Sequence, residues 1–168
     1  AWTLLETKRF QEALDQCERL IALAPEYISI YKIKAEALYN LGRYDEAIEI
    51  FREFSSLDED REISLVHLGK ILKTVGQSEE AIDRFHQAIE GDSSLGLAYW
   101  ELANLKTYRF TDAEISSMQS VLQAGKINAV NTSLIEFALG KALEDKRQFD
   151  ESFKYYQSAN DAYKRLQN

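Results

Sequence analysis

Apolar residues return every three or four positions in this chain, in runs separated by short polar turns. That spacing places them on one face of an α-helix and predicts an all-helical chain. Phe10 to Ala24 carries Phe10, Ala13, Leu14, Cys17, Leu20 and Ile21 on one side, and Pro25 closes the unit. Asp45 to Ser56 forms a further helix in which Ala47 and Phe51 stand one turn apart. Between two such helices, Leu41-Gly42-Arg43-Tyr44 reads as a tight turn. Gly42 supplies the left-handed conformation that ends a helix without a Cβ penalty.

The pattern repeats. Ala13, Ala47 and Ala81 are spaced by 34 residues, as are Cys17, Phe51 and Phe85, and Phe10, Tyr44 and Ser78. A second register, Lys34-Ala35, Leu68-Gly69 and Leu102-Ala103, keeps the same period. Self-similarity at a fixed interval of this length marks a solenoid of helix pairs. Helix pairs of this length, with a small residue at the close contact, resemble the tetratricopeptide repeat. The family pattern W-x2-L-G-x2-Y, A-x3-F is met here by Leu65-x2-Leu68-Gly69-x2-Leu72 with Ala81-x3-Phe85 and Ala88. Tyr31, Leu38, Ala47, Phe51 and Pro25 fit further places of it. The resemblance implies a right-handed superhelical solenoid of antiparallel helix pairs.

The expected division is a single array: a partial repeat at 1–27, repeats at 28–61 and 62–95, an irregular unit at 96–131 and a last one at 132–168. Residues 1–8 read as the end of a first helix whose start is absent. That leaves Trp2, Leu4 and Leu5 short of partners and suggests an excerpt of a longer array. Lys34 stands where Leu is usual, its stem buried and its ammonium free. Ser78 is expected to cap its helix, with Glu79 and Glu80 favourable in the first turn. In the irregular unit a helix over Leu95 to Thr107 is followed early by Tyr108-Arg109-Phe110. Thr111 then caps Asp112 to Gln123, Glu114 completing a capping box. Ile115, Met118 and Leu122 form its apolar stripe, while Ser117 takes an aromatic's place. A longer loop, Ala124 to Asn131, precedes the last unit. There Leu139-Gly140 falls 37 residues after Leu102-Ala103, so three residues are extra. Phe149, Ser152, Tyr156 and Ala159 match the final helix, which runs to Asn168 with Tyr163 and Leu166 on its apolar side. Lys154, Gln157, Asp161 and Lys164 form its polar stripe.

Net charge is −8, which argues against a nucleic-acid-binding role. One cysteine excludes an internal disulfide, and Cys17 reads as a small buried hydrophobe. No apolar run approaches membrane-spanning length and no signal-peptide character is present, so a cytoplasmic protein is expected. The glycines are scattered at helix turns and ends, without a phosphate-binding loop. His67 and His86 stand on different helices without companion ligands and read as helix-surface or satisfied residues. Asp58, Glu59, Asp60 and Glu62 read as a solvated acidic turn lacking the oxygen spacing and Gly of a calcium loop. No catalytic residue, cofactor or metal is expected.

First helices line the groove of such a solenoid. Counting from the inward Leu-Gly positions, the groove set is Lys32, Glu36, Tyr39, Asn40, Val66, Lys70, Lys73, Trp100, Asn104, Thr107, Phe137 and Lys141. Lysines, asparagines and aromatics together suit an extended peptide with acidic groups, with Trp100 and Phe137 as apolar anchors. The competing reading packs those two rings against neighbouring helices. A carboxylate clamp of the chaperone-binding kind does not fit. Lys32 suits its first place, but Glu36 and His67 hold the asparagine places, and Leu97 and Glu101 the final basic ones. The expected function is a scaffold binding a protein or peptide ligand, acidic in character; the alternative is a structural or dimerisation module with no groove ligand.

Trp100-Glu101-Leu102-Ala103-Asn104-Leu105-Lys106-Thr107-Tyr108-Arg109-Phe110 and Phe137-Ala138-Leu139-Gly140-Lys141-Ala142-Leu143-Glu144-Asp145, with Phe149, Ser152-Phe153 and Ala159-Asn160, carry a narrower resemblance. They are similar to the repeat region that precedes the catalytic domain of bacterial tetratricopeptide-repeat sulfotransferases, which use phosphoadenosine phosphosulfate. The resemblance implies a C-terminal sulfotransferase domain in the same polypeptide, with the present chain its non-catalytic recruitment arm.

Overall fold

The computed structural model describes residues 1–54 and 59–166. They form ten α-helices in two compact units, Ala1–Arg84 and Phe85–Asn168. The first five helices are α1 (Trp2–Glu6), α2 (Phe10–Leu23), α3 (Ile28–Asn40), α4 (Tyr44–Phe54) and α5 (Arg61–Thr74). The division between units falls inside α6 (Ser78–Gly91). The rest are α7 (Gly96–Ala103), α8 (Asp112–Ala124), α9 (Ala129–Asp145) and α10 (Phe149–Leu166). Ser56, Asp58 and Asn168 lie outside the described residues, as does the side chain of Leu166. None of the described helices is long and apolar enough to cross a membrane.

In the first unit, each helix packs on its neighbour in sequence from α1 to α5, and α1 also touches α3. Ala13, Cys17, Ala35, Ala47 and Phe51 are buried, as the repeat register requires. Small residues there let the helix backbones approach closely. Cys17 is a buried free thiol whose pKa is pushed up by that burial. The Lys34 ammonium reaches Glu18 at 3.7 Å from a mostly buried stem. Trp2 is 57% exposed, but its indole donates to Glu6 Oε1 at 3.1 Å.

The turns repeat as faithfully as the core. Gly42 and Gly76 sit at φ +78° and +85°. Arg43 N donates to Leu38 O at 2.9 Å and Gly42 N to Tyr39 O at 3.0 Å. Gln77 and Gly76 make the same two bonds to Leu72 and Lys73, at 2.8 and 3.2 Å. Each pair closes a Schellman turn. Lys8 and Arg147 hold the same left-handed place without glycine, at φ 58° and 61°, and make the same bonds. α6 begins at Ser78 itself, so Gln77 and not Ser78 stands at its N-cap, its carbonyl accepting from Ala81 N at 3.0 Å. The Schellman turn leaves no residue between Gly76 and that cap.

In the second unit, α9 packs on α7, α8 and α10. α7 ends at Ala103 rather than Thr107, where Asn104 turns its amide back onto Trp100 O at 2.9 Å. The capping box forms as the sequence predicts. Glu114 N donates to Thr111 Oγ1 at 3.2 Å, and Thr111 N donates to Glu114 Oε2 at 2.7 Å. α8 ends on left-handed Gly125. The loop expected over Ala124 to Asn131 is shorter than predicted. Asn128 caps α9 by accepting from Asn131 N at 2.8 Å, so the helix starts at Ala129. At 17 residues against the 14 of α5, α9 absorbs the three extra residues as most of one added turn.

That added turn meets α7 closely. Gly96 N donates to Asn131 Oδ1 at 3.1 Å, and a Cβ on Gly96 would stand 2.6 Å from Asn131 O. Gly140 likewise lies under the Tyr156 ring, 2.7 Å from where its Cβ would be. Ser152 donates to Gly140 O at 2.7 Å, and Ser133 to Ala159 O at 3.1 Å, so the small buried hydroxyls tie α9 to α10.

Candidate peptide-binding clefts

The two units carry separate clefts of different chemistry. In the first, α3 and α5 present adjoining recesses of about 360 and 160 Å³ that share Glu36, Phe51 and His67. Lys32, Tyr39, Asn40 and Lys70 line them too, four of the residues read as groove-facing. The spacing 32, 36, 39–40 on α3 and 67, 70 on α5 turns each set to one side of its helix. Asn40 caps its own helix end, donating to Glu36 O at 2.8 Å. Lys32 faces Asp60 at 3.3 Å, so part of the first recess is already neutralised.

His67 lies at the centre. Its ring stacks on buried Phe51 with centroids 6.0 Å apart and planes 11° from parallel. Burial, then the charges of Lys70 and Lys32, pushes its pKa down to about 4. The folded protein therefore holds this imidazole neutral, while the unfolded chain binds the proton near the ordinary value of about 6.5. Between those two pH values the unfolded state carries more protons, so stability falls as pH falls from about 6.5 toward 4. We expect His67→Gln to remove about 2–3 kcal/mol of that slope in urea titrations from pH 7 to 4. A slope identical to that of the wild type would place the proton uptake elsewhere.

In the second unit, α7, α9 and α10 enclose a larger apolar cleft of about 590 Å³. Trp100 and Phe137 stand edge to face across it, with centroids 5.4 Å apart. Val130, Leu134 and Tyr163 widen it, and Ser133 and Asn160 are its polar lining. Phe137 also leans toward Tyr156, with centroids 6.4 Å apart. The two rings thus touch each other and also line the cleft.

The other residues of the predicted groove lie elsewhere. Val66 is fully buried and belongs to the core, because the helix-pair contact turns it inward. Lys73, Asn104, Thr107 and Lys141 line neither cleft. Lys141 is engaged by Asp145, which also faces Arg109 at 3.6 Å. Asn104 is exposed and spends its amide on the end of α7. Val130 and Leu134 escape the sequence reading, which places Tyr163 only on the apolar side of α10. Val130 belongs to the added turn of α9, and the other two fall outside the register counted from the Leu-Gly positions.

His86 is not isolated. Its Nε2 lies 2.7 Å from the Tyr108 hydroxyl and 3.1 Å from Glu114 Oε1, and Tyr108 donates to the same carboxylate. Burial pushes the Glu114 carboxyl up. Hydrogen bonds from Tyr108 and Thr111, and the nearby His86, outweigh it and hold the carboxyl below its ordinary value. Through its Nε2 the histidine thus ties α6 to the irregular segment between α7 and α8, a structural use of the side chain.

The helix pairs, the glycine turns and the small-residue contacts define a helical-repeat scaffold. Comparison with known proteins agrees: residues 4–67 match the family model described as tetratricopeptide repeat. The crystal structure of MamA superposes with a TM-score of 0.68 at 19% identity, covering 98% of this chain and 94% of that one. Nearly identical TPR-like repeats from Podosopora anserina superpose with a TM-score of 0.64 at 16% identity, over 99% and 92% of the two chains. The fold is thus the all-helical solenoid type of these repeat proteins. Among curated sequences, an uncharacterized protein of Aquifex aeolicus is 25% identical over 83% of this chain and 18% of its own length. The Homo sapiens protein O-mannosyl-transferase TMTC1 is 24% identical over 72% of this chain and 14% of its own length. The chain therefore spans under a fifth of the length of these relatives.

Proposed function

We propose that this chain is a scaffold that binds an extended protein or peptide segment through the exposed faces of its first helices, without chemistry of its own. The observation that carries the reading is the groove of the first unit. There α3 and α5 present Lys70, beside Glu36 and the Asp60-paired Lys32, around an uncharged imidazole and an apolar floor. Lys70 is the place in this groove for an acidic group. Lys70 forms no ion pair among the described residues, and it stands beside a histidine that resists charging. A carboxylate placed there gains a cation without displacing an internal partner. Tyr39 lines the same recess, while Asn40 donates to Glu36 O.

Titration calorimetry with a blocked peptide bearing an Asp-Glu pair tests this. Lys70→Glu should weaken binding about tenfold at low salt, corresponding to ~1.4 kcal/mol. The wild-type affinity should itself fall as salt rises. Equal affinity of the variant would remove the groove as the site.

The finer reading places this scaffold in the cytoplasm as the recruitment arm of a longer sulfotransferase-like polypeptide. Its support is the resemblance carried by Trp100 to Asn160, together with relatives several times longer than this chain. The parent reading frame tests it. A strand, phosphate loop and helix beyond the repeats would make this an enzyme's arm, and further repeats alone would reject that role.

A further inference from the structure

The cleft of the second unit differs from the first in one decisive respect: among the described residues, none of its lining side chains carries a charge. We propose that it is a separate docking site for a short, uncharged apolar peptide segment, one aromatic or leucine side chain of which inserts beside Trp100 and Phe137.

Three observations select this occupant. The volume of about 590 Å³ lies within the ~300–1,000 Å³ typical of ligand sites. The floor is made by Trp100, Leu134 and Phe137, where a charged side chain would lose its hydration and find no counter-charge. Trp100 and Tyr163 bring an indole N–H and a hydroxyl to the lining, groups that can bond a peptide main chain, while Asn160 donates to Tyr156 O at 2.8 Å.

A second copy of this chain is the competing occupant, and sedimentation equilibrium separates the two. Val130 and Tyr163, each 53% exposed, stand at the mouth from two different helices, so an entering segment covers apolar surface that water now meets. Its lining shares no residue with the acidic-peptide groove of the first unit, and each proposal stands or falls alone.

An array of acetylated, amidated pentapeptides, with two positions varied through all residues, is the direct test. It is probed with the intact chain and with Val130→Asp, a rim substitution at an exposed position that leaves the core untouched. Retained peptides should be enriched in Phe, Tyr, Trp and Leu at the varied positions and depleted in Asp, Glu, Lys and Arg. The best of them should bind Val130→Asp at least tenfold more weakly and Lys70→Glu as well as the wild type. Trp100 fluorescence, read in a Trp2→Phe background, should shift saturably with the same peptide. Selection of charged residues, no retained peptide, or equal binding by Val130→Asp would overturn the proposal. So would a dimer in sedimentation equilibrium that Val130→Asp dissolves, which would assign the cleft to a second copy.

Discussion

Ala47→Asp is expected to destabilise the first unit by about 3 kcal/mol or more. Ala47 is fully buried on the face of α4 that packs on α3, with Ile48 and Phe51 beside it and Ala35, Ala37 and Leu38 buried on α3. An aspartate there needs room that the contact lacks. It also leaves a carboxylate without water or a counter-charge, so it must either ionise in an apolar site or take up a proton at neutral pH. Both routes cost free energy, and steric crowding adds to either. Ala113→Asp is the control. It lies exposed in the first turn of α8, where a carboxylate suits the helix N-terminus, and it should change stability by no more than about 0.5 kcal/mol. Urea unfolding followed by circular dichroism reads both. An unchanged midpoint for Ala47→Asp would mean that the repeat register is misplaced.

Gly96→Ala should cost about 2 kcal/mol, in the range of an overpacked core. A methyl group there would lie 2.6 Å from Asn131 O and 2.9 Å from Asn131 Cα, and both are backbone atoms of α9. A side chain could swing aside, but the helix cannot do so without losing the bond from Gly96 N to Asn131 Oδ1. Gly96 opens α7, so alanine's better helix propensity returns only a fraction of that cost. The same urea measurement checks it, and a gain in stability would show that α7 and α9 do not meet there. The case also shows that a glycine without left-handed φ can still be irreplaceable, through approach rather than conformation.

The register was legible in the sequence because one physical rule generates it. Small residues must recur wherever two helices touch, and apolar residues must recur on the face that touches, so Ala13, Ala47 and Ala81 announce the repeat. Local hydrogen-bond chemistry was legible for the same reason. Gly42 and the Thr111–Glu114 box act within a few residues of themselves. The left-handed turns at Lys8 and Arg147 were not legible, because there the packing of flanking helices imposes the conformation on residues that do not favour it.

What the sequence determined by itself is the helical repeat, its glycine turns and its buried face, all set by periodicity and short-range bonding. What only the tertiary structure decided is how the surface is used. Val66 turns inward while Trp100 and Phe137, counted onto the same groove, open onto a cleft. Asp145 takes Lys141, Asp60 takes part of Lys32, and His86 joins Tyr108 and Glu114. The three extra residues lengthen α9 and carry Val130 to the cleft's rim. Each of these depends on which side chains meet across helices many residues apart. Periodicity sets which face a residue occupies, but not which neighbour waits there.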